Sequence, residues 1–329
     1  MNRNDIIAQS KTAYEQWKEQ WRKQATHHSK YAPHKSLSDF ENYGIGRACL
    51  LVANGYSLEK NIETIRENQD NVDIFCCDKT LGVLIDHGIT PDFCLVADAN
   101  VNYKKYMEPW KDKLQDTILF SCITANPEWT DNGNWKDKYF FVNKDSINSQ
   151  EEFSALGKCN NLIPAGTNVS NAMLLMLTQC DNGAPRNFFG YDVYGLIGFD
   201  YSWQWDGNYY AFDKLGNGKY NYMRHIYPIN RGGKQVYSSQ NLIFSAQWLE
   251  KYLSIFRLPV VLCSDDSVLQ KCNVVPIENV LKYSYKVDDK DRIKDLVGLL
   301  KQYQLKLDKV VRDIQAIGED HALSYQRSI

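Results

Sequence analysis

Several short segments of this chain carry side chains suited to holding a phosphate or moving a proton. Asn54-Gly55-Tyr56-Ser57 follows the apolar run 48–53 and opens a helix-like pattern. A strand that delivers a phosphate to a helix N-terminus has this order, because glycine allows close backbone approach and free N–H groups supply positive potential. Asn54, Gly55 and Ser57 are therefore candidate ligands of a nucleotide phosphate; the plainer alternative is a tight turn followed by a serine N-cap. Asp78 ends a second apolar run, where a carboxylate commonly accepts from a ribose hydroxyl, or simply begins a helix. Asp98 and Asn100 end a third run and offer the oxygen ligands that Mg²⁺ or Mn²⁺ takes, with donor phosphates and waters completing the shell. A capping role for Asp98 is the alternative. Gly166, Thr167 and Asn168 open another helix-like stretch after Pro164 and form a second candidate anion site, although Thr167 is also a good N-cap and Gly166 a good turn residue.

Proton transfer points further along. Asp200 is the preferred general base, a carboxylate at a strand end beside an aromatic stretch that would take the proton of an acceptor hydroxyl. His225 is the second candidate base, and Arg224 or Arg231 would steady a leaving phosphate. Tyr201, Trp203 and Trp205, with Tyr209, Tyr210 and Phe212, have the makings of a platform for a sugar or base, since rings stack on apolar sugar faces and on bases. Aromatics this dense also make a satellite core under a long loop.

These residues need a scaffold that brings strand ends together. Strand-like runs at 48–53, 72–77, 93–97, 117–122, 139–142, 192–199 and 259–263 alternate with helix-like ones at 57–68, 79–87, 168–179 and 238–256. Such alternation predicts βαβ units and a mostly parallel sheet with helices on both faces, whose ligands bind beyond the carboxyl ends of the strands. An amphipathic helix over 3–26, with Ile7, Tyr14, Trp17 and Trp21 on one stripe, leads into a loop and makes an N-terminal region of 1–46. The main domain is then 47–285, with an irregular aromatic segment, 200–237, that has the character of a binding loop or lid. From Ile293 to Ile317 the apolar residues step by three and four, so 286–329 is expected as a long C-terminal heptad helix. Its stripe would pack on a second copy of the chain, giving a homo-oligomer, or on the N-terminal helix.

Composition narrows the partners. The 329 residues are 43% hydrophobic and 13% aromatic, enough for a packed core. A formal net charge of −2 lacks the basic footprint of a protein that holds nucleic acid by its phosphates. Nine cysteines without framework spacing suit a reducing compartment, and the N-terminus lacks the apolar core of a signal peptide, so a cytoplasmic location with no membrane partner is expected. Walker A, His-Glu-x-x-His, Cys-x-x-Cys and Gly-x-Ser-x-Gly motifs are missing, which argues against a P-loop NTPase, a zinc enzyme and an α/β-hydrolase.

From about Arg47 to Asp200 the chain resembles the MptE-like family, which takes in archaeal 6-hydroxymethylpterin diphosphokinases and the Maf flagellin glycosyltransferases, and more distantly the bacterial sialyltransferases that use CMP-sugars. Four segments carry the likeness: Ala53-Asn54-Gly55-Tyr56-Ser57-Leu58, with Tyr56 where proline is usual; Cys77-Asp78-Lys79-Thr80 running on to His87-Gly88-Ile89-Thr90-Pro91-Asp92 and Val96-Ala97-Asp98; Ala165-Gly166-Thr167-Asn168-Val169-Ser170-Asn171-Ala172; and Gly198-Phe199-Asp200-Tyr201, with Tyr201 in place of leucine. The resemblance implies a Rossmann-like transferase using a nucleotide-activated donor. It spans glycosyl transfer from a nucleotide sugar, the expected activity, and Mg²⁺-dependent pyrophosphoryl transfer from a nucleoside triphosphate to a small alcohol such as a hydroxymethylpterin. A third expectation, of another class, is a non-catalytic nucleotide-binding scaffold.

Overall fold

The computed structural model describes residues 3–143, 147–164, 166–178, 187–203, 210–212, 225–255 and 258–282, without the side chains of 3–11, 13, 147–150 and 225. The expected heptad helix at 286–329, Trp205, Tyr209 and Arg224 lie outside the described residues.

The central element is a nine-stranded sheet in which every pair of neighbours is parallel. In chain order its strands are β1 (Ala48–Val52), β2 (Asp73–Cys77), β3 (Phe93–Val96), β4 (Ile118–Cys122), β5 (Asp137–Asn143), β6 (Leu162–Ile163), β7 (Val193–Ile197), β10 (Val260–Leu262) and β11 (Asn273–Val274). Two short strands, β8 (His225–Ile226) and β9 (Ser238–Ser239), form a separate antiparallel pair. All residues of β1, β2 and β3 are buried. That explains why they read as unbroken apolar runs: a central parallel strand is covered on both faces, so nothing selects alternation.

Between the strands lie α2 (Leu58–Asn68), α3 (Asp78–Asp86), α4 (Tyr103–Tyr106), α5 (Glu128–Asn132), α6 (Ile147–Gly157), α7 (Val169–Thr178) and α8 (Gln240–Ile255), and α9 (Ile277–Leu281) follows β11. Ahead of them runs α1 (Arg3–His28). The aromatic stripe of α1 finds its partner in α6, which the sequence pattern did not reveal. Tyr14 and Trp21 pack on Phe153 with ring centroids 6.3 and 6.0 Å apart, and the Tyr14 hydroxyl donates to Glu152 at 2.8 Å.

Strand order is β11-β10-β7-β1-β2-β3-β4-β5-β6. From β1 the chain builds outward one way through β6, then returns to lay β7 on the other side of β1. The order therefore reverses between β1 and β7, and in open α/β sheets the crevice beyond the carboxyl ends at such a reversal is where ligands bind.

Candidate functional site in the β1/β7 crevice

β1 and β7 stay in register past their last residues. Ala53 N–H donates to Ile197 O at 2.8 Å and Gly55 N–H to Gly198 O at 3.1 Å. Two glycines make this approach possible. Gly198 has φ +71, and a Cβ there would lie 2.1 Å from Ala53 O; a Cβ on Gly55 would lie 2.4 Å from Gly198 O and 2.5 Å from Asp200 Oδ2. Only glycine fits where backbones meet this closely.

Asp200 closes the same knot. Its Oδ2 accepts from Ser57 N–H at 2.8 Å and its Oδ1 from Ser57 Oγ at 2.6 Å, while Gly198 N–H donates to Ser57 Oγ at 3.2 Å. Burial pushes the Asp200 carboxyl up to about 7 against the pull of the Ser57 bonds. The carboxylate is 1% exposed and both oxygens are spent on the turn that starts α2. This differs from the expectation of a general base, which must reach an acceptor hydroxyl; Asp200 here fixes the β1–α2 turn. Ser57 differs likewise: it is 0% exposed, and its hydroxyl and amide serve Asp200 rather than a phosphate.

What remains open is a cavity of about 100 Å³ at the reversal, walled by Asn54, Gly55, Asn168, Ser170, Tyr201 and Tyr210 among others. One wall is the first turn of α7, where Asn168 and Ser170 line the cavity at the positive end of the helix dipole; Asn168 caps the turn, its Oδ1 accepting from Asn171 N–H at 2.8 Å. Gly166 is buried behind this turn, where a Cβ would sit 2.4 Å from Asn171 Cβ, and Thr167 is exposed. Tyr201 closes the back of the cavity by donating to Asn171 Oδ1 at 2.5 Å. Thr167 (φ 69), Tyr201 (φ 53) and Phe212 (φ 59) all hold left-handed backbone around this rim, a strain typical of sites the surrounding structure over-determines.

Asn54 sits between that cavity and a second one of about 250 Å³ over α3, lined by both Asn54 and Tyr210. Its Nδ2 donates to Lys79 O at 2.9 Å, while its Oδ1 is buried without a partner among the described residues. Next to it, Asp78 is 2% exposed; its Oδ1 accepts from Lys79 N–H at 2.7 Å and its Oδ2 has no partner among the described residues. Burial lifts the Asp78 carboxyl to about 6, with Lys79 opposing. Buried polar atoms are nearly always paired, so these two acceptors at the ends of adjacent strands are places where a further donor, such as a water or a ligand hydroxyl, fits.

The remaining expected residues fall elsewhere on the rim. Asp98 and Asn100 are exposed at the end of β3. Asp98 Oδ1 accepts from Asn100 N–H at 2.8 Å, and Asn100 Oδ1 accepts from Gln20 Nε2 of α1 at 2.9 Å. Asp98 Oδ1 and Asn100 Oδ1 thus each accept one hydrogen bond within the chain. Among the described residues no group of three or more His, Cys, Asp or Glu is arranged to hold a metal ion. Trp203 is 5% exposed and stacks on Tyr237 with centroids 6.4 Å apart, a core contact rather than an open platform. His225 lies in β8. Tyr210 and Phe212 of the expected aromatic platform do line the cavities, whereas Lys79, Tyr106, Trp110 and Ser170 were not singled out from the sequence as site residues; Lys79 and Ser170 sat inside recognised motifs without a role, and Tyr106 and Trp110 are ordinary aromatics until the fold gathers them.

The sheet order and the crevice define the class: an α/β protein of Rossmann-like fold with its cleft at the strand-order reversal. The model of the family described as 6-hydroxymethylpterin diphosphokinase MptE-like matches residues 23–193, and the chain belongs to that family. Among solved structures it is similar in fold to the Maf glycosyltransferase from Magnetospirillum magneticum AMB-1, with a TM-score of 0.53 and 15% identity over 85% of this chain and 41% of that one. This chain thus spans about two-fifths of that protein's length. No curated protein matches the chain. Among the described residues no helix is long and apolar enough to cross a membrane.

Proposed function

We propose that this protein is a transferase that uses a nucleotide-activated donor, and specifically a glycosyltransferase moving a sugar from a nucleotide sugar to a hydroxyl acceptor. The observation that carries the reading is the crevice between β1 and β7, where the Asn168-capped start of α7 faces the Asn54-Gly55 turn. An anionic phosphate is stabilised there by α7 amides and the helix dipole. Asn54 Oδ1 and Asp78 Oδ2 supply acceptors for hydroxyls of the same ligand. Tyr201 and Tyr210 shape the cavity, and the Gly198–Gly55 contact with its Asp200–Ser57 lock holds the wall rigid.

Similarity in fold to a glycosyltransferase favours the glycosyl reading; membership of the MptE-like family supports a second, pyrophosphoryl transfer from a nucleoside triphosphate to a small hydroxymethyl alcohol. Thermal-shift measurements with CMP, UDP, GDP, ATP, GTP and their sugar conjugates, with and without Mg²⁺, separate the two. A ligand at a hundred times its Kd adds about 2.7 kcal/mol of stability, enough to rank donors. Preference for a nucleoside mono- or diphosphate supports the sugar donor, tight Mg²⁺-dependent binding of a triphosphate supports the second reading, and no shift with any nucleotide overturns both.

A further inference from the structure

The cleft over α3 has features that the nucleotide reading leaves unused. Lys79 projects into it with no ion pair among the described residues, and its hydrogen bond is a long one, 3.4 Å to the Tyr210 hydroxyl. Burial alone would lower its pKa, yet the fields of Asp78, Tyr106 and Asp98 outweigh it, so the net shift is upward and the ammonium stays charged. A half-buried, protonated lysine that feels nearby carboxylates but makes no direct ion pair among the described residues leaves its ammonium free to meet an anion in the cleft.

The aromatic wall is held in place. Trp110 lies against Gly82, where a Cβ would come within 2.4 Å of the indole, and its Nε1 donates to Asp86 Oδ1 at 2.7 Å. Opposite, Phe212 is 39% exposed in a left-handed backbone conformation, its N–H donating to Glu59 Oε1 at 2.7 Å and its ring 4.3 Å from that of His87. A strained, exposed phenylalanine anchored beside a lysine is costly for folding alone. Lys105, its ammonium 4.9 Å from the Tyr106 ring, adds a second cation at the mouth.

We propose that this cleft is a second ligand subsite, which takes a ring carrying a phosphate or carboxylate, the anion set against Lys79 and the ring against Trp110 and Phe212. That it adjoins a donor site rests on the function proposed above; its ligand chemistry does not. The ring and anion belong either to a separate acceptor or to the donor nucleotide itself.

Isothermal titration of the full chain with glucose 6-phosphate, glucuronate, AMP and CMP tests the proposal, with Lys79→Met, Lys79→Arg and Trp110→Leu as variants of checked melting temperature. At least one probe is expected to bind the parent, with Kd raised tenfold or more by Lys79→Met and by Trp110→Leu, and largely recovered by Lys79→Arg. Should Trp110→Leu fail to fold, the Lys79 pair carries the test. Loss confined to the sugar acids assigns the cleft to an acceptor; loss of AMP or CMP binding assigns it to the donor's own ring. Nucleotide binding that Lys79→Met leaves untouched, with no sugar acid bound, overturns the subsite and leaves the function standing. Sugar-acid binding that depends on Lys79 without any nucleotide binding does the reverse.

Discussion

Two buried carboxylates stand at strand ends on the same rim and have opposite environments. Asp200, after β7, gives both oxygens to Ser57 and is complete within the chain. Asp78, after β2, satisfies one oxygen on the next amide and leaves the other buried with no partner among the described residues. Both are lifted by burial, to about 7 and about 6. A carboxylate that the protein satisfies is part of the frame, whereas one left short of a donor is waiting for a ligand. The same division runs through the rim: the Gly55–Gly198 contact is closed backbone, while Asn54, the start of α7 and Lys79 line open cavities.

The comparison is broken most severely at its closed half. Gly198→Ala forces a Cβ into Ala53 O at a left-handed position, and a loss of more than about 3 kcal/mol in chemical denaturation is expected; a loss under 1 kcal/mol would mean that the turn relaxes freely. Asp200→Ala leaves the Ser57 N–H and hydroxyl buried without acceptors, at about 2–4 kcal/mol, and Asp200→Asn, which keeps one acceptor, costs less. If Asp200→Asn instead abolishes transfer at unchanged stability, the carboxylate acts in chemistry and its role as frame is wrong.

The open half responds to pH. The carboxyl of Asp78 rises from 3.8 in the unfolded chain to about 6 in the fold, so between these values the native state binds more protons and its share of stability falls as pH rises. Asp78→Asn therefore gains on the parent as pH goes from 5 to 8, read as the difference between their denaturation midpoints. His28 works the other way. Burial lowers it from 6.5 to about 4, so it costs stability as pH falls through that window, and it cancels in the comparison because both proteins carry it. A midpoint difference that is flat with pH would show Asp78 paired by something else. The smallest effect is expected at Asn168→Ala, about 1 kcal/mol for a lost N-cap, together with weaker nucleotide binding; unchanged binding would remove α7 from the site.

The frame was readable in the sequence because its signals are local. Apolar runs of strand length, ended by Asn54, Asp78 and Asp98, place those residues on one rim, and the structure shows that rim with strand boundaries shifted by a residue or two. The mostly parallel sheet follows from alternation, and the MptE-like likeness from four short motifs. The distribution of tasks along the rim was not legible. Asp200 meets Ser57 across 143 residues, and nothing near either announces the pairing. Asp98 and Asn100 read as a chelating pair by spacing; that Asp98 Oδ1 closes a local turn and Asn100 Oδ1 meets Gln20 of α1, a contact across 80 residues, could not be read there. The wall of Trp110 depends on the absence of a side chain at Gly82, which in sequence is only a weak spot in a helix. Trp203 read as a platform because aromatic density cannot distinguish an exposed ring from one stacked on Tyr237.

The central claim is that the crevice between β1 and β7 holds the donor's phosphate, and filling it is the most direct test. Ser170→Tyr places a ring at the start of α7 inside a cavity of about 100 Å³. With melting temperature measured against the same nucleotide panel, the parent is predicted to be stabilised by at least one nucleotide and the variant by none, at similar stability without ligand. Equal shifts in the two proteins would place the phosphate elsewhere and contradict the account.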